Sequence, residues 1–364
     1  MSSSVIGLVG WRSRLQALLE ASGIEAKLRR ESPDQWRAVG HRLGYLPVVY
    51  SNAMIDYQIA YWQGNAGPVE DVSLILIHDN RQCGIWPLSI AQTSDGIRLG
   101  SNGAAMVPPL FAAGTAAKTI KAITKASLDF VDRFAEQAGY ESWESGEEFS
   151  GFFPMSEWHD QALRAGGTSR LEHTMFVDLS LDLVEIKSRF RKSFKSLITT
   201  GYKLWSVGVL NSAQPQVWDD FRELHRSAAG RATRSEASWD LQYRTVIEGD
   251  GFLVYLRDPD GKMVGGAFFN STRDEGYYSV GAYERALFDK PVGHVVQYHA
   301  ISEMLRLGMR WYRIGIRPYP ETAPTPTAKQ MSIADFKQGF STHLFPAYRI
   351  RHQIRGERGI PPQE

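Results

Sequence analysis

Cysteine is nearly absent from this chain of 364 residues: Cys83 stands alone, which excludes an internal disulfide and any Cys-rich zinc site. Net charge is also nearly absent, with 41 Lys and Arg against 40 Asp and Glu. A molecule this balanced is no general polyanion binder, so any affinity for phosphate or nucleic acid must come from a local patch. Long apolar runs are missing as well, and nothing approaches the roughly 20 apolar residues of a membrane span. The N-terminal "MSSSVIGLVGWRSRLQALLEASG" has no basic leader before its short apolar run, and Arg12 and Arg14 follow that run. It reads as a short strand or loop followed by a helix, not as a signal peptide. These absences predict a cytoplasmic chain with no membrane span and no metal site.

What is present is the composition of a globular protein: 43% hydrophobic, 12% aromatic and 22% charged residues. Such a core needs no staple, and the length points to two domains. In the first half, a helix is expected over 33–43, then an extended piece in "LGYLPVVY". "VSLILIHDNRQCGIWPLSIAQ" reads as strand, turn at Asp79-Asn80, and strand, with "GIRLGS" continuing the sheet. "AMVPPLF" reads as a Pro-held loop at a sheet edge, and "AAKTIKAITKASLDFVDRFAEQAG" as a long helix stopped by Gly139. In the second half "TMFVDLS" is a strand and residues 183–203 form one basic amphipathic helix, followed by the strand "LWSVGVL". Helices near 215–228 and 238–248 precede a strand, an Asp-Gly turn and a strand in "GFLVYLRDPDGKMVGGAFFNS". "EGYYSVGAY" is a strand, "GHVVQYHAISEMLRLG" a helix and "WYRIGIR" a strand. The halves share one order of elements. That order predicts an α+β protein with mixed sheets (α/β in places) and a duplicated fold: 1–174, 175–350 and a basic tail over 351–364.

Several clusters carry chemistry. Lys187, Arg189, Arg191, Lys192, Lys195 and Lys203 fall in one stretch without an acid. They form either a solvated helix face or a site for a phosphate-bearing ligand such as CoA, a nucleotide-sugar or tRNA, with Arg191 and Lys195 as candidates. "GRATRSEASW" offers Arg231, Arg234 and Trp239 to a phosphate or carboxylate. Ser235 or Ser238 caps the helix that follows. In "EGYYSVGAYER", alternation puts Tyr277, Ser279 and Gly281 on one face and Tyr278, Val280 and Ala282 on the other. One tyrosine hydroxyl there, Tyr283 the candidate, is suited to protonating a leaving group, and Tyr277 to lining the substrate. His294 lies beside Gly293 at a helix start, better placed than His299. Finally, "MSIADFKQGFSTHLFP" puts Ile333, Phe336 and Phe340 on one helical face with Lys337 beside it. That lysine either snorkels to the surface or aims its cation into a pocket.

Four stretches, "FRKSFKSLITTGYK", "GRATRSEASW", "LFDKPVGHVVQYHAISEMLRLGMRWYRIG" and "KQMSIADFKQGFS", resemble the GNAT acyltransferases. More specifically, the chain looks like the tandem-GNAT proteins of the FemAB type and their cellulose-biosynthesis-type acetyltransferase relatives. The likeness covers most of the chain, most weakly before residue 180. It implies two tandem GNAT-like domains, the first shaping the acceptor site or bracing the second. It also implies transfer of an acyl or aminoacyl group to an amine of a cell-envelope or surface-glycan precursor. The donor would be acyl-CoA or aminoacyl-tRNA, with no tightly bound cofactor. Acceptors would be small molecules, sugar-nucleotides or glycan precursors. A FemAB-type peptidyltransferase dependent on aminoacyl-tRNA, and a non-catalytic glycan- or nucleotide-binding protein, remain as alternatives. In the CoA-using enzymes a Q/R-x-x-G-x-G/A loop opens the long helix and holds the pyrophosphate on backbone N–H groups. Lys290-Pro291-Val292-Gly293-His294-Val295 matches it in part, making Lys290, Gly293 and His294 the donor-binding candidates. Pro291 removes one N–H and Val295 replaces a small residue. The resemblance further implies that Lys337 stabilises the oxyanion of acyl transfer, with Phe336 and Phe340 as pocket walls.

Overall fold

The computed structural model describes residues 8–94, 96–147, 155–322 and 324–354. The chain forms two compact units. The first takes residues up to Tyr45, Val49–Leu171 and the chain from Ala347 onward; the second takes Leu46–Val48 and Glu172–Pro346.

The first unit contains α1 (Leu8–Ala21), β1 (Glu25–Leu28), α2 (Pro33–Gly40), α3 (Asn52–Asn65), β2 (Val69–Asp71), β3 (Leu74–His78) and β4 (Arg81–Trp86). It continues with β5 (Ser89–Thr93), β6 (Gly96–Gly100), β7 (Leu110–Phe111), α4 (Ala117–Ala138), β8 (Ser142–Gly146) and α5 (Glu157–Arg164). Asp79 and Asn80 both take positive φ, 49° and 59°, and so close the β3–β4 hairpin with the twist such strands require. The expected continuous second strand is two. Pro87 offers no N–H to a ladder; β4 stays in the sheet β1-β3-β4-β7, while β5 joins β2-β5-β6. Helix α3, unforeseen in the sequence, is capped by Ser51, whose hydroxyl accepts from the Met54 N–H. Gly139, at φ 80°, ends α4 as expected. Trp11, Trp86, Phe130, Phe134 and Trp158 fill the core of this unit.

The second unit runs β9 (Thr168–Asp178), α6 (Leu183–Arg189), α7 (Lys192–Leu204), β10 (Ser206–Leu210), α8 (Pro215–Ala229), α9 (Glu236–Glu248) and β11 (Gly251–Arg257). It continues β12 (Met263–Ser271), β13 (Glu275–Tyr283), α10 (Val292–Arg306), β14 (Trp311–Arg317), α11 (Ala328–Gln338) and β15 (His343–Gln353). The last residues of β15 belong to the first unit, where Arg349–Gln353 pair with β8. The tail expected from residue 351 therefore begins as strand; 355–364 lie outside the described residues, as do 1–7. The expected helix over 183–203 is two helices. Phe190 and Arg191 take extended ψ values of 153° and 133°, and the Arg191 N–H donates to Gly339 O at 2.8 Å. Early residues also belong here: the Leu46 and Val48 N–H groups donate to Asp274 and Glu275 carboxylates at 2.8 and 3.1 Å. Among the described residues, no helix is long and apolar enough to cross a membrane.

Strands β10 to β13 are antiparallel neighbours, and β13 then pairs in parallel with β14. That parallel ladder has only three rungs, Glu275–Trp311, Gly276–Tyr312 and Tyr277–Arg313, although β13 has nine residues. Beyond them the strands part. Each strand carries a bulge at the parting: Ser279 has no partner on β12, and Ile314 none on β9. A bulge re-aims the side chains beyond it. The strict alternation expected for β13 accordingly fails. Tyr278 shares a face with Tyr283, in the cluster of Phe194, Val295 and Phe340, while Val280 and Ala282 pack with Phe221 and Trp239 under α8 and α9.

Candidate active site

Helix α11 delivers Lys337. A reciprocal capping box between Thr327 and Gln330 starts the helix. Asp335 ties it to β14 through Arg317 at 2.7 Å, and Arg191 Nη2 donates to the Asp335 carbonyl at 2.8 Å. Lys337 sits in the last turn, and its Nζ lies 4.7 Å from the centroid of the Tyr278 ring. Gly315 of β14 is also close; a Cβ there would come within 3.1 Å of Nζ. Among the described residues the ammonium has no hydrogen-bond acceptor and no carboxylate. The residue is half-buried, and burial pulls its pKa from 10.5 down to about 8. It stays predominantly charged at neutral pH.

Tyr278 in turn neighbours two further tyrosines, Tyr283 and Tyr312. Tyr312 Oη donates to Gln297 Oε1 at 2.6 Å. Burial raises Tyr278, and burial together with the neighbouring Tyr278 holds Tyr283 well above the usual phenol range. The Tyr278 and Tyr283 hydroxyls feel each other electrostatically, but their geometry is not that of a hydrogen bond. Among the described residues, Tyr283 Oη is buried without a hydrogen-bond partner. Both phenols keep their protons at neutral pH and can donate them.

The start of α10 closes the same face. Pro291 precedes it, and among the described residues the Gly293 and His294 N–H groups donate to no backbone acceptor. These are the open donors of a helix N-terminus. Gly293 leaves room for Phe336, whose Cζ would stand 3.0 Å from a Cβ at that position. His294 meets Phe194 edge-on at 4.5 Å and Phe336 at 5.1 Å. Burial, then the charge of Arg191, lowers its pKa to about 4, so it is neutral and a weak base.

Lys337, Phe336, Tyr283, His294, Gly293 and Arg191 thus share one face of the sheet. Other sequence candidates lie elsewhere. Trp239 packs on the opposite face, under the guanidinium of Arg234 at 5.4 Å. Arg234 also donates to His225 Nε2 at 2.9 Å, and together with exposed Arg231 it lines a cavity of about 320 Å³. Ser235, not Ser238, caps α9. Tyr277 stands at the last parallel rung beneath the Arg313 guanidinium at 5.5 Å. Lys195 donates to Ser188 O at 2.9 Å, bracing the break between α6 and α7. Lys290 is exposed beside Asp289. Ile333 is 45% exposed, so it does not share the apolar face of Phe336. The sequence reading missed Tyr278 as the neighbour of Lys337, took Gly281 only as part of a strand face, and did not single out Gly315. The available signal was a glycine inside each of two strand patterns, "SVGAY" and "RIGIR", which marks a bulge or a close approach.

Residues 188–322 match the family described as an acetyltransferase (GNAT) domain. The matched span lies within the second unit. The match ends before α11, so Lys337 lies beyond it. Curated proteins searched by sequence give no match. Among solved structures, FemX superposes with a TM-score of 0.63 at 13% identity, over 87% of this chain and 95% of that one. L-PGS from Bacillus licheniformis follows with a TM-score of 0.55 at 11% identity, over 88% and 91%. A tandem GNAT protein from the clavulanic acid biosynthesis pathway gives 0.50 at 11% identity, over 92% and 99%. At such identities the likeness is one of fold, and the fold is tandem GNAT. The parted β13 and β14 with α10 between them are the elements of the GNAT domain that border the site described above.

Proposed function

We propose that this protein transfers an acyl or aminoacyl group to an amine of a cell-envelope or surface-glycan precursor in the cytoplasm. Acyl-CoA or aminoacyl-tRNA is the donor, and Lys337 is the cation that meets the developing oxyanion. The observation that carries the reading is the ammonium itself, held at the parting of β13 and β14 without a counter-ion. A desolvated, unpaired cation is costly to keep, and such groups cluster at functional sites.

The chemistry follows from the groups on that face. A neutral amine attacks the carbonyl carbon of a thioester or ester, and negative charge builds on the carbonyl oxygen. A preplaced ammonium with all its N–H donors unused stabilises that charge. Collapse of the tetrahedral intermediate breaks the bond to sulfur or to the ribose oxygen. Tyr283, still protonated, can supply the proton the leaving group needs, and the proton shed by the amine nitrogen restores its phenol. The open N–H groups of Gly293 and His294, with Arg191 nearby, suit a donor phosphate. The FemAB-type resemblance supports the acceptor class.

A thermal-shift series with acetyl-CoA, an aminoacyl-tRNA and a nucleotide-sugar tests this. A saturating donor at a hundredfold its Kd stabilises the native state by about 2.7 kcal/mol. Stabilisation by acetyl-CoA or by aminoacyl-tRNA selects the donor. Stabilisation by the nucleotide-sugar alone, with no transfer to any amine, would sink the proposal.

A further inference from the structure

The parted strands each carry a glycine where a side chain of the site needs room. On β13, a side chain at Gly281 would overlap the Tyr278 hydroxyl and come within 3.2 Å of the Tyr283 ring. On β14, Gly315 has φ 149°, a backbone state that L side chains avoid, and a Cβ there would crowd Lys337 Nζ at 3.1 Å. Gly281 thus borders Tyr278, and Gly315 borders the Lys337 ammonium. We propose that Gly281, Tyr278 and Gly315 form a seat that fixes the Lys337 ammonium on the open face of the Tyr278 ring, which makes Tyr278 and Gly315 positioning residues for acyl transfer. The catalytic meaning rests on the function proposed above; the seat itself does not.

The argument begins with what should happen without a seat. A lysine has four flexible bonds, and fixing them costs up to about 2 kcal/mol of entropy. A half-buried ammonium with no acceptor would swing toward water. Among the described residues, the charged groups around it give no electrostatic tether. On its own helix, Asp335 is taken by Arg317. On β14, Arg313 stands over Tyr277 and Arg317 faces Tyr319. On α10, His294 is neutral, and on β13 Tyr278 and Tyr283 keep their protons. What remains is the negative face of an aromatic ring, and Tyr278 presents it at 4.7 Å.

That ring is itself fixed. The bulge at Ser279 turns Tyr278 to this face, and Ser279 Oγ donates to Asn270 Oδ1 at 2.6 Å. The Phe269 ring meets Tyr278 edge-on at 5.6 Å. The choice of a ring over a carboxylate has a chemical consequence. A carboxylate would hold the ammonium by consuming its hydrogen-bond donors and neutralising its charge. A ring face holds the cation while leaving N–H donors available to an oxyanion.

The test needs no substrate. Full-length protein carrying lysine labelled with 13C at Cε is titrated by NMR, and the Lys337 signal is assigned by its loss in Lys337→Met. Tyr278→Phe keeps the ring and should titrate as wild type. Tyr278→Leu removes it, and the midpoint should fall by roughly 0.4 to 1.5 pH units, because a cation–π contact favours the charged form. Gly315→Ala should abolish the Overhauser contact between Lys337 Cε and the Tyr278 ring. Wild-type titration in Tyr278→Leu, or a retained contact in Gly315→Ala, would overturn the seat; should Tyr278→Leu not fold, the Gly315→Ala contact decides alone. Once a substrate is known, Tyr278→Leu should lose kcat with KM held, and Tyr278→Phe should restore it. If the seat titrates as expected while Lys337→Met keeps full turnover, the seat stands and the catalytic reading falls.

Discussion

Replacing Lys337 by methionine should remove activity and add stability at once. Methionine keeps the length and apolar body of the side chain but not the charge. Loss of one oxyanion stabiliser costs on the order of a hundred- to a thousandfold in kcat. KM should move little, because the lost interaction forms mainly in the transition state. The stability gain follows from burial. The folded pKa, about 8, lies below the free value of 10.5, a gap of about 2.5 pH units; at about 1.4 kcal/mol each, the desolvation cost at neutral pH is about 3 kcal/mol as an upper bound. Relaxation and residual solvent contact bring the expected gain to about 1–3 kcal/mol, read as about 2–4 °C per kcal/mol in the unfolding transition of this unit. Between pH 8 and 10.5 the unfolded chain holds more protons than the folded one, so the wild type gains stability as pH rises through that window. Lys337→Met lacks this gain, and the two should converge at the alkaline end. Turnover can be followed by thiol release from acetyl-CoA, since Cys83, the one protein thiol, is buried. A variant no more stable than wild type at neutral pH, with the same pH dependence, would refute the burial argument. Full turnover on an identified substrate would refute the catalytic one.

Three further outcomes are expected. His294 and His225 are each lowered to about 4 by burial, so the unfolded chain takes up protons first as pH falls from 6.5 toward 4; stability should drop through that window, and thermal midpoints of His294→Gln/His225→Gln should drop less. Arg191→Ala with Lys195→Ala should weaken acetyl-CoA binding by calorimetry, and added salt should weaken it in the wild type; unchanged affinity with no salt response returns both residues to structural roles. Gly293→Ala puts a methyl 3.0 Å from Phe336 and beside the open N–H groups of α10, so acetyl-CoA affinity should fall on the order of tenfold. An unaffected Kd would remove the helix start from the donor site.

Some of this molecule is plain in its sequence because the signals are local. Asp79-Asn80 closes a hairpin and Gly139 ends a helix through backbone states set within a few residues. Gly308, at φ 74°, does the same after α10. The mixed α+β class follows from such signals added along the chain. Other features depend on distant partners. The bulge at Ser279 exists only in register with β12, so local alternation put Tyr278 on the wrong face. The break at Arg191 is tied to the Gly339 carbonyl, far along the chain. Helix α3 mixes apolar and polar residues around its circumference, so no stripe announced it. Lys337 was singled out by likeness to a family element, while its setting beside Tyr278 and Gly315 needed the fold.

The way the chain is divided between units has a consequence for its birth on the ribosome. Domains usually complete themselves in the order in which they emerge. Here the first unit cannot, because Ile350 sits in its core and Arg349–Gln353 supply the strand beside β8. The second unit can close around Leu46–Val48 as soon as Pro346 has emerged. The half that leaves the exit tunnel first must therefore wait with an open strand edge until the other half has been made. A nascent chain arrested before Ala347 should expose β8 to protease and chaperone, and release of the last few strand residues should bury it.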